Sequence, residues 1–171
     1  MREYGLPDTM VKAGKKALRY RQPAEKGIYW YWFARFIRMR DAYKWGRCIS
    51  CDQPKTFSEL QAGHFAPARD CGFAMLFDQA NVHGECGGCN AYDEAHLWGY
   101  EKNLDKRYGA DTGKALRVRY EMRNSVITKE WSRYEYAKQI PKIKELYFEY
   151  EAKYKSKQNI PPELRPLNKA V

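Results

Sequence analysis

The chain predicts an α+β fold, and three observations carry that prediction. Two Cys-x-x-Cys pairs, Cys48 with Cys51 and Cys86 with Cys89, stand a few tens of residues apart. Between them lie two short apolar runs, residues 60–66 and 73–77, separated by a loop over residues 67–72. Such runs between turn formers read as strands. On both sides of the pairs, apolar residues recur at helical spacing instead. Thiol pairs at this separation are tetrahedral zinc ligands. The expected architecture is a zinc-stapled core of two strands and a short helix, flanked by N-terminal and C-terminal α-helices.

Composition sets the bounds. The 171 residues suffice for one modest domain with extensions. With 44% hydrophobic and 30% charged residues, the chain is globular rather than disordered. There is no run of 18 apolar residues, so no membrane-spanning helix is expected. Residues 1–21 contain no apolar stretch of the kind that directs secretion. A cytoplasmic protein without membrane association is expected, and there paired thiols are metal ligands rather than disulfides. Cys71 falls outside the pairs and reads as a free or buried thiol. The net charge of +10 favours a polyanionic partner, nucleic acid first. Residues 1–47 carry +8, residues 48–100 carry −5 and residues 101–171 carry +7. An acidic middle between basic arms suits a metal-binding centre flanked by segments that grip a phosphate backbone.

Taken in order, residues 1–27 are a basic arm with Lys12, Lys15, Lys16, Arg19, Arg21 and Lys26, too polar to build a core. The arm is expected to be flexible or to order as a short helix on DNA. Residues 28–44 predict a helix from the spacing of Trp30, Phe33, Phe36 and Ile37, with Arg35, Arg38 and Arg40 among them as candidate DNA contacts. Its aromatic rings either pack the zinc module against the C-terminal helices or stack on bases. This helix and the core occupy residues 28–100, with strands over 60–66 and 73–77 and a short helix beginning near Cys86. Residues 101–157 are expected to be helical. There a helix over 95–107 ends at Gly109, a second over 113–123 is capped by Asp111 or Thr112, and a third over 129–139 is capped by Thr128. Pro141 ends, kinks or restarts the third, and Ile143, Leu146, Tyr147 and Tyr150 form an apolar stripe beyond it. Residues 158–171, with Pro161, Pro162 and Pro166, read as an extended tail.

The core holds more than a zinc clip needs. Four thiolates, from Cys48, Cys51, Cys86 and Cys89, make a closed structural site. His64 lies between the pairs, and Asn90 directly follows the last Cys. Hydrolysing a phosphodiester takes a base to deprotonate water and a cation to offset developing charge. A neutral imidazole suits the first role. Mg²⁺ prefers oxygen ligands, and the Asn90 side-chain carbonyl is one. Asn81, in the loop before the second Cys pair, can tie that loop to the first strand and so aim His64. His83 reads equally as a second metal ligand, a phosphate contact or a buried structural residue. Arg69, on the loop after His64, can grip a phosphate.

At these residues the chain resembles the HNH, or ββα-metal, endonucleases. The order His64, Asn81, Cys86-x-x-Cys89-Asn90 matches their motif, with Asn in the third position. The double Cys-x-x-Cys framing is similar to the phage endonuclease VII type of Holliday-junction resolvase. A more specific resemblance is to the phage lambda NinG family, the Rap-type recombination endonucleases. It is carried by Arg35-Phe36-Ile37-Arg38-Met39-Arg40-Asp41, Cys48-Ile49-Ser50-Cys51, Ala62-Gly63-His64-Phe65, Arg69, Phe77-Asp78, Asn81-Val82-His83 and Cys86-Gly87-Gly88-Cys89-Asn90.

That resemblance implies an HNH-like fold and a phage-encoded nuclease acting on D-loops and Holliday junctions, with Mg²⁺ or Mn²⁺ dependence. It also implies a homodimer, since symmetric junction cutting needs two sites, and recombination proteins as partners. By position, His64 is then the general base, Asn90 a metal ligand and the four Cys the zinc ligands. Many HNH members carry an Asp before the His; here that position is Gly63, as in the NinG pattern, which leaves a metal ligand unassigned. His83, Asp70 and Asp78 are the candidates, in that order. The rival readings are a generic HNH nicking or double-strand endonuclease and a non-catalytic zinc-ribbon protein that binds nucleic acid.

Overall fold

The computed structural model describes residues 24–92, 96–125 and 129–158. Lys15 and Lys16 of the basic arm, Thr128 and the proline-containing tail lie outside the described residues. Helix α1 (Ala24–Lys44) buries Tyr29, Phe33, Phe36, Ile37 and Arg40 along one side, at the three- and four-residue spacing that makes a stripe. It stops where Trp45 and Gly46 both donate to Asp41 O, at 2.9 and 3.0 Å, with Gly46 in the left-handed region at φ 60°.

The sheet is a two-stranded antiparallel hairpin of β1 (Leu60–His64) and β2 (Val82–Cys86), in the register Gly63 opposite His83 and His64 opposite Val82. Here the structure departs from expectation. Residues 73–77, expected to be the second strand, instead form the one-turn helix α2 (Phe73–Leu76). Phe73 and Phe77, four apart, meet ring to ring at 6.1 Å against the aromatic core, whereas four residues of extended strand would hold them roughly 13 Å apart. The real second strand, Val82-His83-Gly84-Glu85-Cys86, looks too polar for a strand. It is stabilised by partners distant in sequence: Asp41 Oδ2 accepts from Gly84 N at 2.6 Å, and Arg40 donates to Val82 O at 3.1 Å.

After β2 come α3 (Gly87–Tyr92), α4 (His96–Tyr108), α5 (Thr112–Glu121) with a 3-10 turn over Met122–Asn124, and α6 (Arg133–Gln158). Asp111 precedes α5 in the left-handed region at φ 64° and makes no side-chain cap; Asp105 Oδ1 accepts from Gly113 N at 2.9 Å instead. Pro141 neither ends nor restarts a helix: α6 runs through it. An interior proline costs about 3 kcal/mol. Burying Tyr136, Ile140, Ile143 and Tyr147 against α1 offsets that, at roughly 1.5–3 kcal/mol per large apolar side chain.

Two apolar clusters result. The larger joins α1, α6 and Val82, with Phe77 and Trp131 packed on it. The smaller gathers Ile49, Phe65, Ala66, Cys71, Met75, Tyr100, Leu104 and Leu116. Cys71 is thus a buried free thiol. Side chains alternate across a strand, so the hairpin separates two settings. Ala62, His64 and Val82 face α1, whereas Gln61, Gly63, His83 and Glu85 face the other way, toward α3 and α4.

Candidate functional site

The thiols of Cys48, Cys51, Cys86 and Cys89 lie within 4.8 Å of one another, a spacing able to hold one metal ion. Cys86 N donates to Cys48 Sγ at 3.3 Å, so the backbone of one pair already braces the sulfur of the other. Helix α4 clamps this knuckle. Asn103 Nδ2 donates to Ile49 O and Ser50 O at 2.8 and 3.2 Å, and Arg107 donates to Cys48 O at 3.0 Å. A side chain at Gly99 would collide with Ser50 O, so only glycine lets the helix approach this closely. Burial pushes the Cys48 thiol up to about 11 and raises Cys89 as well. Burial raises Cys86 too, but hydrogen bonds from Cys89 and Cys48 outweigh it and leave that thiol lowered. Four thiols and no oxygen donor suit zinc, whose binding would deprotonate them. Four protein ligands close the site, which fits a structural rather than a catalytic ion.

His64 sits on the opposite side of the hairpin from Gly63, in a cavity of about 570 Å³ lined by Lys26, Trp30, Arg69, Phe73, Leu76 and Phe77 among others. Its ring stacks on Trp30 with centroids 5.4 Å apart and planes at 22°. Its Nε2 lies 3.0 Å from Leu76 O. A carbonyl only accepts, so Nε2 carries the proton and Nδ1 is left as the basic nitrogen. Burial lowers the pKa of this imidazole, with the bond to Leu76 opposing. At neutral pH the ring is an uncharged base.

Asn81 is fully buried. Its Oδ1 accepts from Ala66 N at 2.8 Å, and its Nδ2 donates to Ala66 O at 3.3 Å and to Met75 O at 3.0 Å. It thereby joins the end of β1 to the segment whose Leu76 carbonyl holds His64.

His83 does not reach a metal site. It is 1% exposed, with Nδ1 2.9 Å from Arg40 Nη2 and Nε2 3.1 Å from Ala80 O. Both ring nitrogens are engaged inside the protein, so of the three readings only the structural one fits. Arg40 is likewise no surface contact for DNA. It is 5% exposed and its guanidinium serves Asp41, Gln79 O, Val82 O and His83. Burial alone would raise the Asp41 carboxyl, but the Arg40 charge and hydrogen bonds from His83 and Arg40 hold it well below the usual range.

Arg35 and Arg38 are half-buried. Arg35 donates to Tyr147 Oη at 2.7 Å, and Arg38 donates to Phe57 O at 3.0 Å above the Phe57 ring. Arg69 is open, its side chain 89% exposed with Asp70 at 3.4 Å. Asp78 pairs with Arg119 at 2.6 Å and accepts from Ala80 N, so it and Asp70, which pairs with Arg69, each have a partner of their own.

Sequence reasoning missed Glu85 and His96. Glu85 is fully buried, and its Oε1 accepts from Ser50 Oγ and lies 2.8 Å from His96 Nδ1. Asn90 donates through Nδ2 to Gln61 Oε1 at 2.8 Å. The available signal was register: a Glu next to the Cys pair, on the Gly63 side of the hairpin. That register depends on knowing where β2 runs.

The family model described as Bacteriophage Lambda NinG protein matches residues 9–159. The chain belongs to that family. No curated protein and no solved structure matches this NinG-family chain. Among its described residues, no helix is long and apolar enough to cross a membrane.

Proposed function

We propose that this NinG-family chain is a divalent-metal-dependent endonuclease that cuts branched DNA arising in phage recombination, D-loops and Holliday junctions included. The observation that supports it most is the state of His64: neutral, oriented by Leu76 O, with Nδ1 free of that bond and the ring lining an open cavity. In this reading Nδ1 takes the proton of the water that attacks the phosphodiester. Asn90 offers its Oδ1 to a Mg²⁺ or Mn²⁺ ion, which when bound would offset charge at the scissile phosphate. Gly63 and His64 face opposite sides of the hairpin, so in this reading the phosphate spans the edge of β1 to meet both His64 and Asn90. Arg69 and Lys26 flank the cavity and supply positive charge for the strand. In this reading Lys15 and Lys16 add positive charge for DNA, and zinc on the four cysteines would tie the Cys48–Cys51 segment to the junction of β2 and α3. The preference for branched DNA and the homodimer that symmetric cutting calls for rest on family membership.

The test uses purified protein, Mg²⁺ and a labelled four-way junction. Wild type is expected to cut and His64→Ala to lose at least 100-fold in rate, the scale of general-base catalysis. Cleavage by His64→Ala at the wild-type rate sinks the role. Stacking on Trp30 also suits a purely structural histidine, the state expected of a non-catalytic zinc-ribbon binder. Junction binding by the wild type without cleavage, in Mg²⁺ and Mn²⁺ alike, selects that reading. Equal cutting of linear duplex reduces the proposal to a generic nuclease.

A further inference from the structure

Gly63 occupies the position where many HNH enzymes carry an Asp, and its neighbours show what has taken that space. A Cβ built on Gly63 would overlap Glu85 Oε2, stand 2.9 Å from Glu85 Cβ and 3.0 Å from Asn90 Oδ1. Two side-chain oxygens, one from β2 and one from α3, therefore converge where a residue-63 side chain would begin.

The Glu85 carboxylate is 0% exposed. Its two oxygens are treated differently. Oε1 accepts from Ser50 Oγ and is 2.8 Å from His96 Nδ1, which fixes the rotation of the group. Oε2 has no hydrogen-bond partner among the described residues. A buried carboxylate oxygen without a partner is costly, and such groups are paired or coordinate a metal. The pattern of one oxygen anchored by a histidine and a hydroxyl, the other presented, is how ligating carboxylates are oriented. Oε2 and Asn90 Oδ1 are both hard oxygen donors of the kind Mg²⁺ and Mn²⁺ take.

We infer that Glu85 supplies the carboxylate ligand of the divalent ion, reaching across the strand pair into the space left by Gly63, with Asn90 as its companion and with His96 and Ser50 as positioning residues. The inference rests on the endonuclease reading and deepens it. It makes Gly63 and Glu85 a matched pair: a side chain at 63 and a Glu at 85 exclude each other.

The experiment is a Mn²⁺ titration of the zinc-loaded full chain without DNA, read by loss of the free-ion electron paramagnetic signal, with zinc content and thermal melting followed in parallel. Wild type is expected to bind Mn²⁺ saturably, Glu85→Gln about tenfold or more weaker at unchanged zinc content, and Asn90→Ala weaker as well. The double variant Gly63→Asp/Glu85→Gly removes the collision and returns a carboxylate to the same space, so it is expected to regain binding. Absence of saturable binding by the wild type overturns the inference, as does wild-type affinity in folded Glu85→Gln. Should Glu85→Gln lose its fold, the double variant decides: recovered folding with Mn²⁺ binding supports the pair, and its failure to fold or bind overturns it. Mn²⁺ binding through Glu85 without junction cleavage would leave this site standing and remove the nuclease reading. Cleavage with unaltered Mn²⁺ affinity in Glu85→Gln would do the reverse.

Discussion

The two faces of the hairpin are held by different forces. Toward α1, Ala62 and Val82 join an aromatic cluster in which Phe77 meets the rings of Tyr29 and Phe33 edge to face. Toward α3 and α4 the packed groups are Glu85, His83 and Asn103, each fixed by named hydrogen bonds. Apolar burial is non-directional and tolerates repacking. Buried polar groups tolerate no unpaired neighbour. Apolar burial and the Arg40 and Asp41 bonds to β2 together give the hairpin its place on α1, while the polar side fixes individual atoms. An unpartnered atom such as Glu85 Oε2 stands out only against that second setting.

The contrast can be broken hardest at the cysteines. Structural zinc contributes about 10–16 kcal/mol in small domains. Cys86→Ser is expected to lose bound zinc and cooperative folding together, by metal analysis and thermal melting; unchanged zinc content would rule out the four-thiol site. Next comes Asp41→Asn, which leaves Arg40 charged and unpaired beneath the hairpin. A loss of about 3–5 kcal/mol is expected from urea unfolding. The Asp41 pKa is depressed on folding, so its contribution is full above the unfolded value of about 3.9 and fades as pH falls through the lower folded value. The wild type should therefore weaken below about pH 4, and part of that dependence should vanish in Asp41→Asn.

On the apolar side, Ile140→Ala is expected to cost about 2–5 kcal/mol while leaving zinc content and Mn²⁺ affinity intact. A change in metal binding there would mean that the two faces are coupled. A finer test is the pH dependence of cleavage. The His64 pKa is lowered on folding, so the unfolded chain binds the proton more readily and protonation disfavours the fold. The rate's acid limb is expected below about pH 6.5. A His64-dependent limb above that value would contradict the buried, neutral ring. The smallest effect is expected at exposed Arg69. Arg69→Ala should change stability by no more than about 0.5 kcal/mol, yet lower the salt dependence of DNA binding by about one counterion.

Much of the frame was legible from residue order. The helix through Phe33 and Ile37, the strand carrying His64, the short helix bearing Asn90 and the paired cysteines all follow from spacing and turn formers. The second strand was not, because Val82-His83-Gly84-Glu85-Cys86 carries no apolar alternation and depends on Arg40 and Asp41, some forty residues away. Placing the strand at residues 73–77 also hid the register that sets Glu85 beside Gly63. Arg40 read as a surface cation for the same reason: one side of a basic helix can be buried only if something polar awaits it.

Local order determined the flanking helices, the first strand and where four thiols could meet, since periodicity and Cys spacing act within a few residues. It also marked His64 and Asn90 as residues a zinc clip does not require. Only the tertiary structure decided which partner each buried polar group found, because that depends on chain segments brought together after the elements form. By that route His83 became a structural residue and Arg40 an internal ion-pair partner. Glu85 became a carboxylate with one oxygen still to be satisfied.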